Sequence, residues 1–186
     1  MFKSSPIQAS EPVFVSVSEW QGKQRFDIRH YYSVEVTEDD AVRIDLRPGT
    51  KGINVPAEDA GAVISAILAV VEMATASPNS ESKIQPKTSC IMPVVVSVNE
   101  WKGIRRIDIR HYWTPKGSTK LTPTQKGVSV AITEAGALVD ALTTARDALA
   151  ASHSQSTSPR QPEADILREL GYQPVVADHR FANLEL

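Results

Sequence analysis

A chain of 186 residues, 41% apolar and 23% charged, is long enough for one or two small domains with a sizeable core. A net charge of −2 excludes a wholly basic nucleic-acid binder and leaves only a local patch for such a role. A single cysteine, Cys90, excludes an internal disulfide framework and points to a reducing intracellular compartment, cytoplasmic or nucleoid-associated, or nuclear in a eukaryote.

Residues 1–12 lack the apolar run of a signal peptide and read as a flexible N-terminus. Val13, Val15 and Val17 then alternate with Phe14, Ser16 and Ser18, which is strand period. Glu19-Trp20-Gln21-Gly22 supplies a turn, and Arg25, Asp27 and Arg29 alternate with Phe26 and Ile28 in a second strand. Val34 and Val36, then Val42, Ile44 and Leu46, predict a hairpin around Thr37-Glu38-Asp39-Asp40, and Gly52 to Val55 a fourth strand. Pro56-Ala57-Glu58-Asp59 opens a helix whose apolar positions are Val63, Ile64, Ile67, Leu68, Val70 and Val71. The longest apolar stretch, Ala62 to Val71, is too short to cross a bilayer, so no membrane partner is expected. Residues 77–91 read as a polar, proline-bearing linker.

From Val94 the pattern begins again. VFVSVSEWQGKQRFDIRHYY, residues 13–32, and VVVSVNEWKGIRRIDIRHYW, residues 94–113, align without a gap, and about two thirds of the pairs are identical. Lys51-Gly52-Ile53 corresponds to Lys126-Gly127-Val128, so the first copy carries extra residues before its Lys-Gly. Thr133 is placed to cap the second helix, with Leu138, Val139, Leu142 and Leu149 along one stripe. The organisation expected is a first sheet-helix repeat over 13–76, a second over 92–151, and a mobile linker and tail over 152–186. The tail includes an amphipathic stretch, Glu163 to Leu170. Helices this apolar predict that the two copies pack together through them.

Binding a single strand of nucleic acid needs cations for phosphates and flat faces for bases. Alternation puts Arg25 and Arg29 on one strand face and Arg106 and Arg110 on the matching face of the second copy. Aromatic residues bracket both strands: Trp20 and Tyr31-Tyr32, then Trp101 and Tyr112-Trp113. The aspartates Asp27 and Asp108 share the arginine face, and either hold the arginines extended or bond base edges. The second copy carries more cations against fewer acids, so its sheet is expected to be the stronger phosphate binder.

The run EWKGIRRIDIRHYW, followed by PTQKGVSV and a helix, resembles the positive cofactor 4 transcriptional coactivator domain, and the resemblance covers both copies. It implies an α+β fold: in each copy a curved four-stranded antiparallel sheet followed by one helix, the two packed as an intramolecular pseudo-dimer through the helices. It further implies single-stranded DNA binding without strong sequence preference. The positions that carry over are Trp20 and Trp101, Arg29 and Arg110, Tyr32 and Trp113, Lys51 and Lys126, and the turn lysines Lys23 and Lys102. Gln21 and Ile104 depart from the family's turn lysines, and Thr50 and Gln125 from its arginine before Lys-Gly.

His30 and His111 sit beside Asp and Tyr, but one histidine per copy without cysteine or acids at ligand spacing is a weak metal or nuclease signal. No catalytic residue, metal or cofactor is expected. The expected ligand is single-stranded DNA, with RNA as an open alternative. A second reading makes the chain an interaction or coactivator module that recruits a polymerase or other partner through the acidic insert and the C-terminal tail. Further homo-oligomers stay open.

Overall fold

The computed structural model describes residues 2–7, 11–38, 41–78 and 81–156, without the side chains of 153–156. In chain order come strands β1 (Val13–Trp20), β2 (Lys23–Glu38) and β3 (Ala41–Pro56) and helix α1 (Ala60–Ala76). Then follow β4 (Ser82–Ile84), β5 (Val94–Trp101), β6 (Ile104–Trp113), β7 (Thr122–Ala131) and helix α2 (Ala135–Ser156). The fold is α+β: two antiparallel sheets, ordered β1-β2-β3 and β4-β5-β6-β7, each followed by a helix.

The same turn joins the first two strands of each repeat. Gln21 and Gly22 have φ of 52° and 71°, and Lys102 and Gly103 have 52° and 73°. Two consecutive left-handed residues make the two-residue hairpin whose twist matches its strands. The register then repeats residue for residue: Val15 faces Ile28 as Val96 faces Ile109, and Asp27 faces Asn54 as Asp108 faces Ser129.

The first sheet departs from the four strands expected. The strand containing Phe26 and that containing Val34 are one element, β2, and Val42 to Val55 lie within one element, β3. The ladder breaks between Arg29 and Tyr31 but resumes on the same two strands. Beyond this irregularity the pair continues from Tyr31/Pro48 to Glu38/Ala41 as a two-stranded ribbon, exposing Val42, Ile44 and Leu46. In the second sheet the fourth strand comes from the segment read as linker: Lys83 of β4 pairs with Ser97. Its counterpart in the first copy is the N-terminal segment read as flexible, where Lys3 pairs with Ser16 and Ile7 with Val13. Ile7 is buried in the core there.

Neither helix begins as expected. Residues Ala57–Asp59 and Ile132–Glu134 form short 3-10 turns first, and Thr133 lies inside the second of these. Helix α2 also runs past residue 151, to Ser156. The rest of the tail, including Glu163 to Leu170, lies outside the described residues.

One face of each sheet is apolar. Phe26, Ile28, Ile53 and Val55 of the first, and Val96, Ile107, Ile109 and Val130 of the second, are fully buried. Along α1, Val63, Ile67, Val70 and Ala74 bury one stripe, and along α2 Leu138, Leu142 and Ala145 do the same. All of these but Ala74 belong to one continuous core cluster that draws on both copies. Helix α1 packs on β4 and β5, and β3 lies against β7. The run Ala57–Ala76 is long and apolar enough to cross a membrane by length and composition, more than the ten residues read from sequence. Its buried stripe is committed to the core instead.

Because α1 of the first copy and the sheet of the second share this core, Ile67→Ala should lower stability by about 2–4 kcal/mol. Urea unfolding followed by tryptophan fluorescence and by circular dichroism should show one coincident, shifted transition. Two separated transitions, with only one moved, would contradict a shared core.

Candidate nucleic-acid interface

On the face of each sheet away from the helices the arginines are clamped. Arg29 donates from Nε and Nη2 to the two carboxylate oxygens of Asp27, at 2.9 and 3.1 Å, and from Nη1 to the Gly49 carbonyl at 2.9 Å. Arg110 repeats this on Asp108, at 2.9 and 2.9 Å, and on the Thr124 carbonyl at 2.7 Å. The forked guanidinium is held flat, as a bidentate carboxylate pair holds it. The bond to Asp108, chiefly, raises the Arg110 pKa further. The neighbouring arginines are also oriented. Arg25 bonds the Asn54 side chain and backbone carbonyl, and Arg106 bonds the Ser129 hydroxyl and carbonyl at 3.0 and 2.9 Å.

The Lys-Gly motif owes its glycine to this clamp. A Cβ on Gly127 would lie 2.9 Å from Arg110 Cβ, Arg110 Cγ and the Ile109 carbonyl oxygen. On Gly52 it would lie 2.9 Å from the Ile28 carbonyl oxygen and 3.1 Å from Arg29 Cγ. The arginine stem therefore crosses the sheet over a bare backbone. Just before this point the ladder is irregular: His30 faces the three residues Gly49–Lys51, and His111 faces Thr124–Lys126. The Thr124 hydroxyl donates to the His111 carbonyl at 2.8 Å. Lys51 and Lys126 ride on these excursions and are exposed.

The aromatic positions divide. Trp20, Trp101, Tyr32 and Trp113 are 61%, 57%, 53% and 47% exposed, far more than buried ring packing leaves. Tyr31 and Tyr112, by contrast, are packed. Tyr31 lies edge-on to Phe14 at 4.6 Å with the Lys3 ammonium 4.2 Å from both rings, and Lys83 lies 4.8 Å over Tyr112. Lys102 lies 4.5 Å over the Trp101 ring.

A groove of about 960 Å³ runs across the first sheet. It brings together Trp20, Lys23, Arg25 and Arg29 with Lys126 and His111 of the second copy. Its other wall is Ser89–Met92, pinned to the start of α1 where the Ser89 amide and hydroxyl donate to Asp59 at 2.8 and 2.9 Å. Tyr32 and Lys51 are not in this groove. They line a smaller cavity of about 380 Å³ with Glu11, His30 and Tyr31. Trp101, Lys102, Arg106, Arg110 and Trp113 belong to the second sheet and its edge.

Sequence reasoning missed Asn54 and Ser129, the wall at Ser89–Met92, and the part played by the histidines. Extending the strand alternation to β3 and β7 would have found the first pair, since each faces its sheet's aspartate. His30 and His111 join the copies. The Ser129 amide donates to His30 Nε2 at 3.4 Å, and His111 Nε2 lies 3.4 Å from the Asn54 carbonyl. His111 Nδ1 lies 3.2 Å from the Met92 carbonyl. Among the described residues no group of three His, Cys, Asp or Glu side chains could hold a metal ion.

The same surface is thus built twice: oriented guanidinium groups, exposed lysines and exposed aromatic rings on an antiparallel sheet. A family model described as transcriptional coactivator p15 (PC4) matches residues 7–66 and 94–141, more than half of the chain. The chain belongs to that family, and the two matched segments fall on the two copies. No curated protein matches the chain.

Burial pushes both imidazoles below the usual 6.5. For His30 the Glu11 carboxylate opposes this, and Lys51 and Arg106 reinforce it. For His111 the Met92 and Asn54 carbonyls oppose it, and Lys126 and Arg25 reinforce it. The unfolded chain therefore takes up protons first as pH falls through about 6.5, and stability is lost until the folded pKa values are passed. Melting temperature should fall between pH 7 and pH 5, and His30→Gln with His111→Gln should make that fall shallower. An unchanged slope in the double variant would exclude the histidines as its source.

Gly127→Ala should cost about 1–3 kcal/mol, because the arginine stem and the strand must shift. Gly136→Ala, where an added Cβ meets nothing within 4 Å, should instead stabilise α2 by about 0.5–1 kcal/mol. Chemical denaturation of the two variants makes the comparison.

Proposed function

We propose that the protein binds single-stranded DNA, with little sequence preference, along the polar faces of its two sheets. Membership of a transcriptional coactivator family supports this class of function. The observation that carries it is the repeated pairing of a clamped arginine with open aromatic faces: Arg29 with Trp20 and Tyr32, Arg110 with Trp101 and Trp113. Phosphates would meet Arg25, Arg29, Arg106, Arg110 and the lysines Lys23, Lys51, Lys102 and Lys126. Bases would stack on Trp20, Tyr32, Trp101 and Trp113. The role is non-enzymatic: the protein shields or presents unpaired strands inside the cell, during transcription, replication or recombination.

The copies act as an intramolecular pseudo-dimer. Support comes from the reciprocal contacts His30 to Ser129 and His111 to Asn54, which a twofold relation between equivalent residues would generate. The shared core and the Arg105 bond to the Ala74 carbonyl at 2.8 Å support the same arrangement.

A second reading, recruitment of a protein partner, draws on the ribbon from Tyr31 to Pro48, whose exposed Val42, Ile44 and Leu46 sit among acidic residues. Removing residues 157–186 should leave DNA binding intact under the first reading, and loss of binding would place the tail in the interface.

Labelled oligo-dT should bind at low salt and compete better than duplex DNA, with RNA run as a third competitor. Each of Trp20→Ala and Trp101→Ala should cost about 1–3 kcal/mol of binding, the worth of one stacked base. An absence of binding at low salt, or indole truncations without effect, would refute the proposal.

A further inference from the structure

The internal symmetry extends to the residues that precede β1 and β5. Tyr31 N–H donates to the Pro12 carbonyl at 2.7 Å, and Tyr112 N–H to the Pro93 carbonyl at 2.8 Å. The prolines are equivalent, so the residues before them, Glu11 and Met92, occupy corresponding places. One is an anion and the other a neutral thioether. The Glu11 carboxylate lies 3.3 Å from Arg106 Nη2. Met92 lines the groove that contains Arg25, the counterpart of Arg106, and Arg25 hydrogen-bonds the neutral Asn54.

We propose that Glu11 is a built-in stand-in for a strand phosphate, which occupies Arg106 and makes the second sheet the weaker half of the binding surface. The inference rests on the single-stranded-DNA reading above. It reverses the ranking that a count of charges suggests, because position outweighs number here. In the groove of the first sheet Lys23, Arg25, Arg29 and Lys126 face two carboxylates, Glu19 and Glu58. Of these Glu58 accepts from the Ser89 hydroxyl at 3.1 Å rather than from an arginine. On the second sheet the equivalent of Arg25 begins with an anion already in place. The Glu11 side chain is 60% exposed and Arg106 only 14%, so the carboxylate sits on the solvent side of the guanidinium, where an incoming phosphate would approach. With its carboxylate this open to water the pair is cheap to break, so the device lowers affinity without closing the site.

Oligo-dT titrations of the full chain test this, with melting curves to verify that each variant is folded. Glu11→Gln keeps the side chain's size and should tighten binding about threefold, the scale of an exposed ion pair. It should also steepen the dependence of log K on log salt by about 0.7, one further phosphate contact on a single strand. Arg106→Ala should cancel that gain, since the freed guanidinium is its source. In the wild type, Arg25→Ala should weaken binding more than Arg106→Ala. Met92→Glu introduces the anion in the other half and should weaken binding about threefold or more. Unchanged affinity and salt slope in Glu11→Gln, or a gain that survives Arg106→Ala, would overturn the inference while leaving the DNA-binding reading in place. A wild type that does not bind oligo-dT would overturn both.

Discussion

The irregularity in the β2–β3 and β6–β7 ladders is the constraint on which the surface depends. One histidine faces three residues of the partner strand, in both copies. A bulge of this kind re-aims side chains that a regular ladder would fix. Here it turns His30 and His111 toward the other copy, and it lifts Lys51 and Lys126 clear of the sheet. It also delivers the carbonyls of Gly49 and Thr124 to the arginine clamps. The same excursion thus shapes the junction between copies and the surface offered to a ligand. The tautomer of His30 follows from its neighbours: with Ser129 N–H donating to Nε2, that nitrogen must carry a lone pair. Protonation would set two donors against each other, which is why acid bears on the junction between copies.

The clamps raise the question of whether Arg29 and Arg110 are structural or ligand-binding, and their geometry allows both. A guanidinium has five N–H donors. Each arginine spends one from Nε, one from Nη2 and one from Nη1 on the protein. Two remain, and the side chains are still 30% and 24% exposed. A residue held in place before the ligand arrives loses little side-chain entropy on binding. The aspartate neutralises part of the charge, so such a site exchanges electrostatic strength for order. On the proposed reading, stacking on the exposed aromatic rings would carry a larger share of the binding, in keeping with a net charge of −2.

Much of this was legible in the sequence, because the repeat made each weak signal appear twice. The alternation around Arg25 and Arg106, the hairpin turns at Trp20 and Trp101 and the two helices all follow from local pattern. What was not legible depends on partners distant in the chain. Nothing in Ser82-Lys83-Ile84 looks like a strand in a polar, proline-bearing stretch; the open edge of β5 makes it one. Likewise Lys3 and Ile7 acquire their roles only beside β1. Lys126 was assigned to its own copy's sheet, yet it lines the groove of the other. Sequence alignment ranks residues by equivalence, whereas the groove is assembled across the junction, where equivalence says nothing about which half a side chain serves.

Duplication within one chain changes what substitution can do. In a symmetric homodimer every replacement appears twice, so the two binding faces stay identical. In a tandem chain each half can change alone. Several differences between the copies have that character. The β2–β3 ribbon is long in one half, while the β6–β7 ladder stops at the Trp113/Thr122 pair in the other. The fourth strand position is a true strand in one sheet and two isolated bridges in the other. An anion precedes the first strand of one copy and a thioether that of the other. Meanwhile the elements that carry the scaffold, namely the Asp–Arg clamp, the left-handed turn, the glycine beneath the arginine and the histidine at the bulge, are the same in both. These differences therefore lie at edges and approaches, where a change would adjust how the proposed ligand is received without disturbing the sheet.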